Sequence, residues 1–331
     1  MKKKMIKILT LILVANLLIY TSVMAYSNYN ETQQFQNTIT YFDMETREMV
    51  TEEIPTLEQI MIEKNRSNLS STISSNLNIT IDENGGRIEP YIANPTAEVE
   101  PNIIIGGDNR TPVTNTTVYP YKTVCYLEVT FPDGTKSLYG TGVLVYKDVV
   151  LTAGHVVYQP KHGGYATKVA VFPGRAGGPG VQGSEPYLYT TVQNLYVDPQ
   201  YVSNQSAYYD WAMMKTYDPI GNYVGAWMGI AYSGDYSFFV NDGLSVSIVG
   251  YPEDKGKYYQ YYSRDRVAYA ENRFMAYYTD SFRGQSGSPV YEQDQYVVAI
   301  HHGDWPNSQP ALNLGVNINQ SRFSLIVSWM N

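Results

Sequence analysis

The chain has 331 residues and a formal net charge of −8, from 23 basic and 31 acidic side chains. This length is ample for burying a core, and a chain this acidic argues against nucleic acid as a partner. Cys125 is the only cysteine, so an intramolecular disulfide is excluded and stability must come from the core. Cys125 lies in the apolar run TVCYLEV, which predicts a buried small side chain and not a reactive thiol.

The first 25 residues have the pattern of a secretory signal peptide. MKKKMIK carries four lysines, the apolar run ILTLILVANLLIY follows, and Val23-Met24-Ala25 is a small-residue cleavage signature. A membrane anchor is the alternative, because the apolar run is not very short. We predict cleavage after Ala25 and a secreted, extracellular protein. No membrane association is expected after that, since no later segment is apolar enough to span a bilayer.

Residues 26–102 differ in composition from the rest of the chain. They carry 13 acidic and 4 basic side chains and are rich in Asn, Ser and Thr. TLEQIMIEKN is a helix-like patch, whereas SNLSSTISSNLNIT and NPTAEVEPN are typical of loosely ordered connecting sequence. We interpret 26–102 as a pro-region that partners the remainder of the chain. An N-terminal extension that is never removed is the alternative.

From residue 103 onward, short β-type runs alternate with Gly, Pro, Asp and Asn. TVCYLEVTF, LYGTGVLVY, VVLTAG, LSVSIVGY and SPVYEQDQYVVAIHH are examples. Many short strands at close spacing predict an all-β barrel or sandwich, and the 32 tyrosines suit half-buried sheet faces. The final QSRFSLIVSWM places Phe323, Ile326, Val327 and Met330 at helical spacing, which predicts a short C-terminal helix.

The segment SFRGQSGSPVY (281–291) places a serine between two glycines ahead of an apolar strand. Ser286 becomes a nucleophile only if a base removes its proton, and a histidine is the usual base. Among the four histidines, His155 ends the strand-like VVLTAG, whereas His162 lies in a polar glycine loop and is expected to be solvated. Asp210 begins the apolar run WAMM and is a candidate to orient the imidazole.

Several motifs resemble a known family. LTAGHVV, YYDWAMMK and GQSGSPV resemble, in order and spacing, the chymotrypsin-like serine peptidases. GYPEDKGK, DSFRGQSGSPVYEQ and VVAIHHG are closer to the bacterial glutamyl endopeptidase family, and IIIGGDNRTPVTNTTVYPY looks like the start of its mature chain. The resemblance covers roughly 103–331. It implies two six-stranded antiparallel β-barrels, at 103–220 and 221–331, followed by the short C-terminal helix.

The resemblance also implies a role for each residue of the motifs. His155 would be the general base and then the acid, Asp210 would orient it, and Ser286 would attack the scissile carbonyl. The backbone N–H groups of Gly284 and Ser286 would form the oxyanion hole.

Substrate preference follows from other positions of the same motifs. Ser281 matches a hydroxyl-bearing pocket residue, and His301 matches the histidine that donates to a substrate carboxylate. Asp280 aligns with an acid of the glutamate-specific enzymes and not with a trypsin-type pocket acid. His302 is expected to point the other way along its strand and is the weaker candidate.

Two positions depart from the family patterns. Arg283 stands where the family commonly has glycine. It could add positive potential for an acidic substrate, crowd the leaving-group side, or be a solvated loop residue. Gln285 precedes the nucleophile where trypsin-type activation needs aspartate, so that activation pair is excluded. In the glutamyl endopeptidases the mature N-terminus lies by the specificity pocket. This predicts a cut between Asn102 and Ile103, with the Ile103 amine adding positive charge to the pocket.

The sequence therefore predicts a monomeric serine endopeptidase, made as a zymogen, that cleaves proteins or peptides after glutamate, with aspartate as an open second choice. No cofactor or metal is predicted, and no acidic cluster has calcium-loop spacing. Two alternatives stay open. One is the same fold with another P1 preference, and the other is a non-catalytic host-binding or adhesion protein on the same barrels.

Overall fold

A computed structural model describes residues 37–67, 78–82, 84–93, 108–135, 138–305, 308 and 311–330. The predicted signal peptide and the predicted cut beside Ile103 lie outside these residues. Within the described ranges, no helix is long and apolar enough to cross a membrane.

The elements fall into three groups along the chain. The N-terminal segment contains β1 (Thr38–Asp43), β2 (Met49–Glu53), α1 (Leu57–Ser67), β3 (Ile79–Asp82), β4 (Gly85–Ile88) and β5 (Tyr91–Ile92). The middle of the chain contains β6 (Thr111–Pro112), β7 (Val124–Thr130), β8 (Leu138–Leu144), β9 (Val149–Thr152), α2 (Gly154–Val157), β10 (Tyr158–Gln159), β11 (Gly164–Tyr165), β12 (Lys168–Pro173), β13 (Thr190–Val197), α3 (Pro199–Asn204) and β14 (Ala212–Thr216). The last group contains α4 (Ile220–Val224), β15 (Ala226–Trp227), β16 (Gly229–Ser233), α5 (Phe238–Asn241), β17 (Ser245–Gly250), β18 (Tyr261–Ala270), β19 (Phe274–Tyr277), β20 (Pro289–Tyr291), β21 (Tyr296–Asp304), β22 (Asn313–Asn317) and α6 (Gln320–Trp329).

Two closed barrels organise these strands. The first has the strand order β12-β7-β8-β9-β14-β13 and closes through the β12–β13 pair. The second has the order β20-β17-β18-β19-β22-β21 and closes through the β20–β21 pair. Both are six-stranded and antiparallel, which confirms the predicted fold class.

The strand sequences explain why the barrels form. All four residues of β9 are buried, as expected for an apolar run covered on both faces. Tyr126 and Tyr251 meet edge to face in the core, with ring centroids 5.4 Å apart. Cys125 is fully buried, and burial raises the pKa of its thiol, so it is a core residue as predicted.

The predicted C-terminal helix is confirmed as α6. Asn319 caps its N-terminus, and its side chain accepts from the Arg322 backbone N–H at 3.1 Å. The four apolar residues that predicted this helix are all buried: Phe323, Ile326, Val327 and Met330.

The N-terminal segment is more regular than its composition indicates. The helix-like patch forms α1, as its sequence predicts. The five strands β1–β5 were not predicted, because they are short and several, such as β2, are largely exposed. They gain order from the barrels, since β1 pairs with β13 and β4 pairs with β16.

Candidate active site

His155 lies in α2, the single helical turn directly after β9. Its backbone N–H donates to Asp210 Oδ1 at 2.7 Å, and its ring Nδ1 lies 2.6 Å from Asp210 Oδ2. A Cβ at Gly154 would come within 2.8 Å of the Tyr201 ring and 3.0 Å of Asp210 Oδ1, so only glycine fits before the histidine. One carboxylate therefore fixes both the backbone and the ring of His155, whose side chain is still 32% exposed.

Asp210 is fully buried at the start of β14. Burial alone would raise the pKa of this carboxyl, but the charge and hydrogen bonds of His155 and His302 hold it well below its usual range. Burial likewise works to lower the pKa of His155, and the Asp210 charge and hydrogen bond outweigh it and raise that pKa. The pair is thus arranged to stabilise an imidazolium formed during a reaction.

His302 is a second imidazole on the same carboxylate. Its Nδ1 lies 2.5 Å from Asp210 Oδ2, and its ring centroid lies 5.6 Å from that of His155. The prediction that His302 points to the opposite face from His301 agrees with its direction, and on that face it meets the Asp210 carboxylate. Alternation along β21 gives the direction of His302 but does not show that Asp210, 92 positions earlier, lies there, so the sequence undervalues this residue.

Ser286 lies in the turn before β20, at the junction of the barrels. The Ser286 carbonyl accepts from the Thr141 backbone N–H at 2.9 Å, and the Gly287 N–H donates to the His301 carbonyl at 2.8 Å. A Cβ at Gly287 would lie 2.9 Å from the Ala153 nitrogen, which places this turn against the residue two positions before His155. Gly287 adopts φ +86°, a conformation that favours glycine.

The Ser286 hydroxyl makes no hydrogen bond within 3.5 Å to the residues that the structure describes. The fold brings serine and imidazole to one junction without closing a bond between them. Such bonds often tighten only when substrate is bound.

Two backbone N–H groups beside Ser286 are available as donors. The Arg283 carbonyl accepts from the Glu253 N–H at 2.8 Å. Because a trans peptide is planar, the Gly284 N–H of that unit points away from Glu253. The Gly284 carbonyl is held separately by the Thr141 hydroxyl at 2.8 Å. Neither the Gly284 N–H nor the Ser286 N–H has an acceptor among the described residues, as an oxyanion hole requires.

The two departures from the family pattern are now located. Gln285 is fully buried, and its Oε1 accepts from the Phe282 N–H at 3.0 Å, so it braces the turn. The Arg283 side chain is 81% exposed and lies 3.7 Å from Glu253, which is the geometry of a solvated loop arginine.

His301 is almost completely buried in the second barrel. Its Nδ1 lies 2.8 Å from the Tyr277 hydroxyl. Burial raises the pKa of Tyr277 well above its usual value, so the phenol keeps its proton and donates it to His301. Burial, with His302 and His155 nearby, lowers the pKa of His301 to about 3. A neutral imidazole that accepts at Nδ1 carries its own proton on Nε2, where it can donate.

Ser281 is tied to a residue that the sequence did not indicate. Its hydroxyl donates to Asn313 Oδ1 at 2.9 Å, and Asn313 Nδ2 donates to the Thr279 carbonyl at 2.7 Å. A hydroxyl has one proton, so Ser281 can donate to a substrate only by releasing Asn313. Asn313 begins β22 in a run without a polar motif, so no signal pointed to it.

Asp280 does not behave as a pocket acid for a basic substrate. Its Oδ2 accepts from the Asn109 backbone N–H at 2.9 Å. Next to Asn109, Arg110 is anchored by Asp108 at 2.8 Å and by Asp254 at 2.6 Å. Ile103, five positions before Asp108 in the sequence, lies outside the described residues.

Comparisons with known proteins identify the family. The trypsin family profile matches residues 112–327. The extracellular metalloprotease of Bacillus subtilis is 34% identical over 70% of this chain and 71% of its own length. The glutamyl endopeptidase of Bacillus licheniformis is 32% identical over 69% of each chain. A solved structure of a Glu endopeptidase in complex with MPD is 30% identical, with a TM-score of 0.58, and covers 69% of this chain and 99% of that one.

The two closed barrels agree with these similarities, and the His155–Asp210 pair and the free N–H groups agree with the chemistry of the family. The chain is therefore a serine endopeptidase of the trypsin family, with the chymotrypsin fold and with glutamyl endopeptidases among its relatives.

Proposed function

We propose that the protein is a secreted zymogen of an endopeptidase that cleaves peptide bonds after glutamate, with aspartate as the second choice. The observation that carries the specificity is the buried, neutral His301, whose Nδ1 is occupied by Tyr277. Its Nε2–H is then a fixed donor for a carboxylate. A neutral imidazole of this kind can donate its Nε2–H to an anionic side chain while its Nδ1 stays occupied by the Tyr277 hydroxyl.

The chemistry of the cycle follows the family pattern. Ser286 Oγ attacks the scissile carbonyl carbon while His155 Nε2 takes the hydroxyl proton. Asp210 stabilises the resulting imidazolium, and the Gly284 and Ser286 N–H groups bind the negative oxygen of the tetrahedral intermediate. His155 then gives its proton to the departing amine, which breaks the C–N bond and leaves an acyl-enzyme. A water molecule then attacks the acyl carbon while His155 takes one of its protons. His155 returns that proton to Ser286 Oγ as the ester C–O bond breaks, which releases the acid product and restores Ser286.

Secretion and zymogen activation are supported by two features in the N-terminal third of the chain. The predicted leader at residues 1–25 and the similarity to an extracellular protease of Bacillus subtilis favour export. The anchor at Asp108–Arg110 starts the catalytic region beside Asp280, next to Ser281. A cut between Asn102 and Ile103 would free an amine within reach of this pocket, where it would add positive charge.

A metal-dependent hydrolase is a second candidate, because the Bacillus subtilis relative carries the name metalloprotease. His155, Asp210 and His302 offer ligand atoms within 4.8 Å of one another. Both imidazoles, however, lie 2.6 Å or less from one carboxylate oxygen, which is a hydrogen-bond distance. Two atoms that share a tetrahedral zinc are about 3.3 Å apart. The serine mechanism therefore fits the observed distances better.

The catalytic assignment is tested with secreted, matured protein and a Glu-containing peptide. We expect Ser286→Ala to abolish cleavage, and a serine-directed fluorophosphonate to label the wild type and inactivate it. A chelator that inactivates the enzyme while the fluorophosphonate fails to label it would favour the metal alternative. Cleavage that survives Ser286→Ala would overturn the serine mechanism. A protein that is never cleaved near Ile103 yet is fully active would overturn the zymogen assignment alone.

The specificity is tested with four peptides that differ only at P1, as Glu, Asp, Gln and Lys. We expect His301→Ala to lower kcat/KM for Glu selectively. His162→Ala is the matched control, since His162 pairs with Asp133 on the surface at 2.8 Å. Equal losses for Glu and Gln would remove His301 from carboxylate recognition and support the alternative of another P1 preference.

A further inference from the structure

The described part of the N-terminal segment, residues 37–67, 78–82 and 84–93, forms what we call the clasp. On the first barrel, β1 pairs with β13 through Phe42–Leu195 and Asp43–Asn194. The Met44 N–H extends this ladder by donating to the Gln193 carbonyl at 2.9 Å. The barrel closes where β12 pairs with Thr190 and Thr191 of β13, and the clasp adds a strand beside the later part of β13 that β12 leaves unpaired.

The apolar side chains of the same hairpin are part of the core. Ile39, Tyr41 and Met44 are buried with the first barrel. The Tyr41 ring meets the Trp329 ring of α6 edge to face, with centroids 5.7 Å apart. The helix α1 also packs on α6, and its Ile60 is buried. This contact is an apolar interface and not a tether on the surface.

On the second barrel, the clasp covers an otherwise open strand edge. β16 pairs with β21 on one side, and β4 occupies its other side from Ile88–Ile230 to Gly85–Ser233. Ile88 is completely buried. A Cβ at Gly85 would overlap the Tyr232 carbonyl, so this approach of two backbones requires glycine. Without β4, the backbone groups of β16 would be exposed at a sheet edge.

The end of the clasp is also fixed. The Tyr91 ring stacks on the Trp227 ring at 4.3 Å, and β5 pairs with β15. The Ala93 N–H donates to the Gly225 carbonyl at 2.8 Å. Trp227 is buried, so loss of the clasp would expose a large aromatic side chain to water.

The clasp does not cover the catalytic residues. Among the described residues, no hydrogen bond, ion pair or ring contact joins the clasp to His155, Asp210, Ser286 or His301. Its contacts lie on β11, β13, β15, β16, β21 and α6, the first through the Phe42 ring, which stacks on the Tyr165 ring at 5.0 Å. Removing the described part of the clasp would therefore break none of these contacts to the four residues.

We infer that the clasp stays bound after the chain is cut between residues 93 and 108, so that the active enzyme is a non-covalent complex of two pieces of one chain. The inference rests on the proposed zymogen activation. The cut acts by freeing a new N-terminus near Asp108 and not by removing a plug. The partner of the exposed β16 edge is thus the enzyme's own N-terminal segment, held by strand addition and apolar contacts.

The test uses the full chain with Ser286→Ala, which prevents self-digestion, and a recognition sequence for a site-specific protease inserted between residues 94 and 107. After cutting, gel filtration and mass spectrometry report whether the pieces travel together. We expect one peak with both pieces in equal amounts, and separation only after denaturant is added. Two peaks in native buffer would overturn the inference. Because the cut is supplied externally, this result is independent of whether the natural chain is activated by cleavage.

Matched variants locate the binding surface. Ile88→Asp places a charge in the buried side of β4, whereas Ile81→Asp places the same charge on β3 at a residue that is 37% exposed. We expect the cut pieces to separate for Ile88→Asp and to stay together for Ile81→Asp. If the cut pieces separate in both variants, or stay together in both, the β4–β16 pairing is not the surface that holds the clasp.

A milder change covers the case in which Ile88→Asp does not fold. Tyr91→Ala removes the stack on Trp227 and is expected to weaken association of the cut pieces about 2- to 10-fold, the range typical of an aromatic pair. Association that is unchanged in Tyr91→Ala would overturn the role given to this end of the clasp.

Discussion

Replacing Gly284 by alanine should remove one oxyanion donor without touching the catalytic side chains. Gly284 adopts φ +96°, which an L-residue tolerates poorly. A Cβ there would lie 2.5 Å from the Tyr139 ring and inside 3.0 Å of the Tyr251 carbonyl. The ring could rotate aside, but the carbonyl belongs to the backbone and cannot. The Arg283–Gly284 peptide must therefore move by about 1 Å or turn, given ordinary contacts of about 3.5 Å.

The expected magnitude follows from the donor that is lost. Removal of one oxyanion-hole donor typically lowers kcat about 10²- to 10³-fold, which corresponds to about 2.7–4 kcal/mol of transition-state stabilisation. We expect a loss of this size in kcat, with a smaller change in KM, because the donor acts on charge that develops in the transition state. The assay is steady-state hydrolysis of a Glu-containing peptide, normalised to the folded fraction from thermal unfolding.

Gly134→Ala is the matched control. Gly134 also has a positive φ, of +78°, but a Cβ there would meet nothing within 4 Å. Gly134→Ala should lower the free energy of unfolding by the cost of holding alanine at a positive φ, and it should leave kcat unchanged. If Gly284→Ala keeps kcat within tenfold of the wild type, or loses no more than Gly134→Ala does, the oxyanion role of Gly284 is wrong.

Three further predictions concern the imidazoles. Because Asp210 raises the pKa of His155, the midpoint of the acidic limb of kcat/KM should lie above pH 6.5, with activity rising as His155 loses its proton. A midpoint at or below pH 6.5 would contradict this. His302→Ala should move that limb to higher pH, because Asp210 Oδ2 would then accept a hydrogen bond from His155 alone. A pH–rate profile with the limb unmoved would contradict a role for His302 in setting the pKa of His155. Tyr277→Phe should reduce the preference for Glu over Gln about fivefold, the value of one ordinary hydrogen bond, because His301 would lose the partner that fixes its tautomer. An unchanged ratio of kcat/KM for Glu to kcat/KM for Gln would contradict that reasoning.

The fold class and the pairing of His155 with Asp210 could be predicted from the sequence, because each of the motifs behind them is contiguous. The residues around His155, Asp210 and Ser286 stand at the ends of apolar runs. Strands of that length and spacing predict an all-β barrel or sandwich, and the resemblance to the peptidase family implies the two six-stranded barrels. The contacts of His302 and Asn313 could not be predicted, since their partners lie 92 and 32 positions away. Only barrel closure and the packing of one barrel on the other decide which side chains meet across such separations.

The N-terminal segment shows a second limit of sequence reasoning. β3 and β4 have four residues each, and β3 is exposed at three of its four positions, so their local pattern is weak. A two-stranded hairpin is marginal alone, and these strands are stabilised by the edge of β16, which no local pattern reveals. Composition predicted the polarity of the segment correctly and missed its docking.

The most direct measurement is cleavage-site profiling of the matured protein on a peptide library, with Ser286→Ala processed in parallel. Cuts should fall after glutamate, less often after aspartate, and should vanish in the variant. Cuts that fall mainly after neutral or basic residues would contradict the role of His301 as a carboxylate receptor, and cuts that persist in Ser286→Ala would contradict the serine mechanism itself.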